Sequence, residues 1–441
     1  MELERSPLLT DLYELTMLQT YYEHGMTQPA VFELFLRRSP RRGCFLAAGL
    51  EQTLTWLEGL RFDERELAWL DDSGLFSAAF IRRLADLRFT GEVRAMPEGT
   101  ICYPEEPLVQ IIAPLPEAQL VESRLMNIVH FQTLIATKAL RCVEAAGGRR
   151  VVDFGLRRAH GGEAGMWAAR ACYLAGFGAT ATTLAGAAYG IPVTGTMAHS
   201  FVLAHDDEAT AFERFARSHP DNVVLLIDTF DVAEGAHKAV ALGHRLADSG
   251  IRVQGVRIDS GDLSAHARTV RRILDDGGLT DTLILVSGGL DEERIAAIVA
   301  SGAPVDGFGV GSKVDTSADE PFLDSAYKLH HFGERARAKH SEGKTDLPGL
   351  KQVYRRYDDG GRFAGDVIAL ADEGYEGEPL LVPVMRNGER LDGGAENGLE
   401  AARARTREQH GLLPPGAGAL AAPGESPVTV SPALQRLAAR T

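Results

Sequence analysis

Between residues 150 and 312 the chain repeats one theme, a short apolar run followed by an amphipathic stretch. The runs are VVDFG at 151, ATAT at 179, VTGTM at 193, VVLLID at 223, VQGVRID at 253, LILVSGG at 283 and VDGFGVG at 305. The stretches between them carry helical spacing, as in Leu263, Ala267, Val270 and Leu274, or Ile295, Ile298 and Val299. Strands alternating with helices predict parallel βα units, and about seven of them predict an α/β fold with an irregular seven-stranded β/α barrel. A doubly wound open sheet is the rival. No G-x-G-x-x-G follows the first run, which argues against a dinucleotide fold.

At 441 residues the chain exceeds what one core usually serves, so the barrel needs company. Leu8, Leu12, Leu15, Leu18 and Tyr22 predict an early amphipathic helix with Thr10 or Asp11 as N-cap. AVFELFLRR reads as a strand, 45–87 as helical, VRAMPEG and LVQIIAP as short strands, and 117–146 as a long helix bridging into the barrel. Beyond 313 the pattern lapses. KHSEGKTDLPGLKQVYRRY reads as a charged loop, LVPVM at 381 as a strand able to complete the first sheet, 397–410 as a polar helix and 412–427 as an extended tail. The expected division is an N-terminal α+β domain over 1–125, the barrel over 126–350, and a segment over 351–441 that returns to the first domain and ends in the tail.

With 46 basic against 61 acidic residues the chain carries a net charge of −15, which disfavours nucleic acid and membrane surfaces as general partners. Cys44, Cys102, Cys142 and Cys172 form no C-x-x-C pair, so free thiols in a reducing compartment are expected. The N-terminus lacks the apolar core of a signal peptide, and the uncharged run Ala171–Ala198 is broken by glycines and Pro192, so the expected location is cytoplasmic.

Polar residues gather at the C-terminal ends of the runs, where barrel loops carry chemistry. Arg157, Arg158 and His160 follow the first, His199 the third and Asp228 the fourth; Arg257 and Asp259 end the fifth, Ser287 and Asp291 the sixth, and Gly309, Gly311 and Ser312 the last. One such residue alone reads as well as a loop hydrogen bond; so many facing one mouth read as a site. The glycines of SGG and GVGS free N–H groups that suit phosphate. Arg257 offers a bidentate cation, and Asp259 a partner for a sugar diol or for Mg²⁺. A carboxylate such as Asp228 near His199 would orient its ring. Arg37, Arg38, Arg41 and Arg42 fall within six positions, a solvated loop or a phosphate holder. The residues by themselves reach a barrel enzyme for a phosphorylated, sugar-bearing substrate.

Five stretches, LLTDLYELTM, VVDFGLRRAHG, GTMAHSF, GVRIDSGDL and KTDLPGLKQVYR, resemble in order the signature segments of nicotinate phosphoribosyltransferase. The resemblance implies a barrel with a split α+β domain and a homodimer with shared active sites. It implies joining of nicotinate to 5-phosphoribosyl 1-diphosphate with ATP hydrolysis coupled through a phosphohistidine at His199, partnered by Asp228. By motif, Phe154 and Arg157 would stack on the pyridine ring and bind its carboxylate, with Tyr13 completing the stack from the neighbouring subunit. Arg257 and Asp259 would hold ribose and phosphates, Gly289, Gly309 and Gly311 would line the 5-phosphate loops, and Arg37 and Lys339 would help from the other domain or subunit. Mg²⁺ would travel with the diphosphate near Asp259 rather than sit in a cage of protein side chains. Where nicotinamide-using relatives carry an aspartate, this chain has Ala181, which favours the acid over the amide. The alternatives are nicotinamide or quinolinate as the base, or a non-catalytic nucleotide-binding barrel.

Overall fold

A computed structural model of the chain describes residues 5–339, 346–391, 398–414, 418–420 and 426–441. The chain divides into two compact units, Met1–Thr137 with Phe322–Thr441, and Lys138–Pro321.

The first unit is built on a seven-stranded antiparallel sheet. Its strand Pro29–Leu36 lies between Ser325–Phe332 and Pro107–Pro114, and is buried at every position after Pro29. Beyond these, Glu92–Ala95 pairs with Val382–Arg386, so LVPVM does complete the first sheet. The early helix runs Leu12–Glu23 from Asp11, whose side chain makes no cap bond; it accepts instead from the Ser123 hydroxyl at 2.9 Å. The polar helix is present as Leu399–Leu412.

Several strands were not expected from the residues, Phe363–Leu370 and Val428–Val430 among them. Ser325–Phe332 falls where the pattern lapses, and Lys351–Tyr357 occupies the second half of the stretch read as a charged loop. Residues 340–345 of that stretch, and 415–417 and 421–425 of the extended tail, lie outside the described residues. The strand Lys351–Tyr357 escapes a hydropathy reading because its cations are paired inside the unit. Lys351 Nζ meets Glu33 at 2.7 Å, and the Arg355 guanidinium forks onto Asp366 at 3.1 and 2.7 Å. A buried cation needs such a partner, and nothing local in KQVYRRY announces one.

In the second unit all seven apolar runs are found at one parallel sheet. Six are strands: Arg150–Asp153, Ala179–Thr180, Val224–Leu226, Gly255–Ile258, Leu283–Val286 and Gly307–Val310. The seventh, at 193, contributes a single parallel bridge from Val193 to Thr180. In space the order is 179, 151, 307, 283, 255, 224 by starting region, with every pair parallel. The hydrogen-bonded ladder is thus a six-stranded half-barrel. Pro192 and Gly195 flank Val193 and curtail pairing there, since proline lacks a donor and glycine weakens a strand. Val256, Ile258, Ile284 and Val286 are fully buried, as two-sided cover requires.

Among the described residues no helix is long and apolar enough to cross a membrane. Cys44, Cys102, Cys142 and Cys172 are free and buried.

Candidate active site

Because the strands of the second unit are parallel, their carboxyl ends share one rim. The chain leaves the strand Val224–Leu226 at Ile227 and reaches Asp228; the next strand over ends at Ile258 and reaches Asp259; the next ends at Val286 and reaches Ser287. Neighbouring strand ends therefore place three polar side chains in a row. Ser287 donates its hydroxyl to Asp259 Oδ1. The Asp259 N–H and the Ser260 hydroxyl both donate to Asp228 Oδ2, at 2.9 and 2.6 Å. Asp228 Oδ1 lies 3.2 Å from His199 Nε2. Asp228 is almost wholly enclosed, whereas the His199 ring is 42% exposed. A carboxylate only accepts, so Nε2 carries a ring proton, and in the neutral imidazole Nδ1 keeps its lone pair.

Arg257 comes from the same strand as Asp259 and stands with NH1 3.9 Å from its Oδ1. Its NH2 donates to the Met197 carbonyl at 2.7 Å, holding the turn two residues before His199. Its guanidinium carbon sits 5.8 Å from the centre of the Phe154 ring. Burial, and beyond that the Arg157 guanidinium, pulls Arg257 below its ordinary pKa against the opposing charges of Asp259 and Asp228. Its Nε–H finds no acceptor among the described groups. A partly buried guanidinium with a spare donor and a second cation nearby suits an anionic ligand.

Phe154 leaves the strand Arg150–Asp153 and lies against Gly309, where a Cβ would come within 2.5 Å of the ring. Only glycine admits the ring there. Arg157 follows on the exposed turn Leu156–Arg158. Phe154, Gly309 and Arg257, with Val193, Thr194 and Thr196, are among the residues lining a cavity of about 330 Å³, of the order of a small-molecule site. In SGG, Gly288 and Gly289 adopt φ of +96° and +64°, and a Cβ at Gly288 would strike the Asp259 carbonyl at 1.9 Å. At Gly311 a Cβ would lie 2.9 Å from the Phe154 carbonyl.

His199, Asp228, Asp259, Arg257, Phe154 and Gly309 are thus drawn into one neighbourhood, with Arg157 close enough to Arg257 to act on its charge. Tyr13, Arg37 and Lys339 belong to the first unit. Tyr13 stands 45% exposed, and burial followed by Glu122 raises its hydroxyl pKa. Arg37 pairs with Asp324 at 3.5 Å. The N–H of exposed Lys339 donates to Asp346 at 2.9 Å. Among the four arginines of the early cluster, Arg42 is buried, so that stretch is only partly a solvated loop.

Several residues that shape the site were not singled out from the sequence. Ser260 fixes Asp228, Arg294 donates to the carbonyls of Gly288 and Gly289 at 3.1 Å each, and Lys313 pairs with Asp291. Their roles come from tertiary neighbours. Ser260 alone was discoverable, as a hydroxyl inside the RIDSGD turn.

Residues 8–130 match the nicotinate phosphoribosyltransferase (NAPRTase) N-terminal domain, and residues 149–344 match the nicotinate phosphoribosyltransferase (NAPRTase) family. The nicotinate phosphoribosyltransferase pncB2 of Mycobacterium tuberculosis is 48% identical over 426 residues, spanning 96% of this chain and 91% of that protein. The nicotinate phosphoribosyltransferase of Bacillus subtilis is 41% identical over 376 residues, 83% of this chain and 76% of its own. The solved structure of human nicotinic acid phosphoribosyltransferase superposes with a TM-score of 0.87 at 29% identity, covering 98% of this chain and 99% of that one.

Proposed function

The chain belongs to the nicotinate phosphoribosyltransferase family, and we propose that it joins nicotinate to 5-phosphoribosyl 1-diphosphate, giving nicotinate mononucleotide and diphosphate, in NAD salvage. The observation that carries this reading is the pairing of two features at one rim. One is an aromatic ring with two arginines beside it, Arg257 having a donor to spare; the other is the run of hydrogen bonds from Asp259 through Asp228 to His199.

In this reading the Phe154 face stacks on the pyridine ring and Arg157 binds its carboxylate. Tyr13 of a second copy covers the other face, which requires a homodimer. Arg257 and Asp259 hold ribose and phosphates. Gly289, Gly309 and Gly311 belong to the loops that take the 5-phosphate, and Gly309 also makes room for the ring. Arg37 and Lys339 contribute from the first unit of either copy. The run at 193 is the seventh stave of an irregular barrel, a reading supported by its bridge to Thr180. Ala181, exposed after the second strand, presents no carboxylate to repel an anionic base, which favours nicotinate over nicotinamide.

Departure of diphosphate leaves positive character at C1 of the ribose. Asp259 places a carboxylate on that side, Arg257 neutralises leaving oxygens, and the stacked ring is held with its nitrogen aligned for attack. Mg²⁺ bound with the diphosphate would screen the charge of the leaving group. Asp259 would offer such an ion one carboxylate ligand, beside oxygens of the substrate. His199 stands off from the sugar. Its free Nδ1 accepts phosphate from ATP, and the phosphorylated ring alters affinity for substrate and product so that ATP cleavage drives the nucleotide. Four buried free thiols support a cytoplasmic location.

The test supplies nicotinate, nicotinamide or quinolinate with 5-phosphoribosyl 1-diphosphate, with and without ATP. Nicotinate is expected to give mononucleotide fastest, with ATP stimulating. Preference for either other base, or tight binding without turnover, overturns the reading. Labelled phosphate from γ-³²P-ATP is expected on His199, and its appearance elsewhere would remove that residue's role.

A further inference from the structure

The strand Arg150–Asp153 ends in a carboxylate whose two oxygens are both engaged. Asp153 Oδ1 accepts from the Gly155 N–H at 2.8 Å, and Oδ2 from the Thr180 hydroxyl at 2.6 Å. Behind it lies Asp315, at the end of the short helix Ser312–Asp315 and in side-chain hydrogen-bond contact with Asp153. Both are 1% exposed. Neither oxygen of Asp315 accepts from any N–H or O–H among the described residues.

Two buried carboxyl groups in contact do not both ionise; one proton stays between them. The donors decide where. Asp153, served by two, is the anion, and Asp315, served by none, is the acid whose O–H donates to it. Burial, and next the charge of Asp153, pushes the Asp315 carboxyl well above its ordinary range. The same contact explains the glycine of DFG, since a Cβ at Gly155 would lie 2.1 Å from Asp315 Cγ. The other charged or titratable groups on the surrounding elements do not supply a counter-charge bond. Arg158 donates to Ser312 at 3.2 Å and Lys313 pairs with Asp291. The Cys172 thiol on the helix Gly162–Ala175 is itself raised, by burial and then by both aspartates. Arg157 on the turn, His160 after it, and Glu163, Arg170 and Tyr173 on that helix are the others, and none of them bonds an Asp315 oxygen.

We infer that Asp315 is a positioning residue for the base: as a neutral acid it donates to Asp153, fixes the turn carrying Phe154 and Arg157, and keeps one negative charge behind that turn instead of two. This rests on the reading of Phe154 and Arg157 as the base-binding pair. When Asp315 loses its proton, the two carboxylates repel, the turn loses its anchor and an anionic base is bound less well.

The closing experiment compares the wild type with Asp315→Asn, which keeps a donor of the same shape and cannot ionise. In the wild type, KM for nicotinate is expected to rise on the order of tenfold on the alkaline side, while kcat and KM for 5-phosphoribosyl 1-diphosphate move much less. Asp315→Asn is expected to bind nicotinate at neutral pH as the wild type does and to lose the alkaline rise. Infrared spectra of protein with ¹³C-labelled aspartate give a readout free of activity: a protonated carboxyl band present in the wild type at neutral pH and missing from Asp315→Asn. An identical alkaline rise in both proteins, or no protonated band in the wild type, overturns the inference. Should nicotinate prove not to be the base, the function reading falls by itself, and the infrared band still decides where the proton sits.

Discussion

Replacing Asp228 by Asn tests how the imidazole is prepared for phosphate. The two donors on Oδ2, Asp259 N–H at 2.9 Å and the Ser260 hydroxyl at 2.6 Å, oblige the new amide to turn its oxygen toward them. Its NH₂ then faces His199 Nε2, where a carboxylate oxygen stood at 3.2 Å. An amide N–H only donates, so Nε2 must accept and the ring proton moves to Nδ1. The exposed nitrogen loses the lone pair that the proposed phosphoryl transfer requires, as happens to the tautomer when a triad aspartate becomes asparagine. The carboxylate's charged hydrogen bond is also lost, worth about 1.5–3 kcal/mol. At about 1.4 kcal/mol per factor of ten, phosphorylation of His199 slows roughly 10- to 150-fold. The assay is the initial rate of ³²P incorporation from γ-labelled ATP, with the thermal midpoint as control for folding. Labelling within threefold of the wild type, or a stable label on Nε2, would refute the assignment of tautomer and nitrogen.

Gly309→Ala puts a methyl group 2.5 Å from Phe154 Cε2 and 3.1 Å from Ser287 Cβ, so the ring must swing at an overpacking cost of about 1–3 kcal/mol; KM for nicotinate is expected to rise well above that for 5-phosphoribosyl 1-diphosphate, and equal effects on both would count against Phe154 as the stacking face. Burial pushes the Glu14 carboxyl from 4.5 up to about 8, so the folded state holds the extra proton between those values and its contribution to stability, full below the lower one, is lost as pH rises to the upper; the wild-type Tm should fall across that window, and Glu14→Gln, which still offers Ser123 an acceptor, should flatten the fall. Arg355→Met strands Asp366, which is fully buried beside Arg355 at 2.7 Å, at a cost of about 3–5 kcal/mol; a lowered Tm is expected, and the double variant Arg355→Met with Asp366→Leu should recover most of it.

What the chain disclosed, and what it withheld, follows from how far each interaction reaches. The seven runs were legible because strands of a largely buried parallel sheet are mostly apolar, a property of four or five consecutive residues. The placing of Asp228 and Asp259 at one rim was legible for a related reason: parallel strands put all their carboxyl ends on one rim, so a polar residue after each run is placed without knowing which strands are neighbours. The ladder order, and the single bridge that Val193 makes in place of a full strand, required that knowledge. The strand Lys351–Tyr357 was hidden for the opposite reason, because its charges are cancelled by Glu33 and Asp366 and its composition reports exposure where the fold supplies pairing.

The DFG glycine shows how the two kinds of information meet. Read locally, Asp153-Phe154-Gly155 is a strand end followed by a turn, and the aspartate's bond to the Gly155 N–H is a bond that turns often make. The glycine has no positive φ to justify it, being at φ −92°, so backbone freedom is not why it is there. Its side-chain space is instead filled by Asp315, a carboxyl from the short helix after the neighbouring strand, and no donor serves it. Sequence position could not reveal that pairing, yet it constrains the turn more tightly than the local bond does, since any side chain at 155 expels the acid and an ionised acid repels Asp153. The turn that carries Phe154 and Arg157 is therefore constrained twice, by a hydrogen bond the chain makes with itself and by the Asp315 side chain that fills the space beside Gly155.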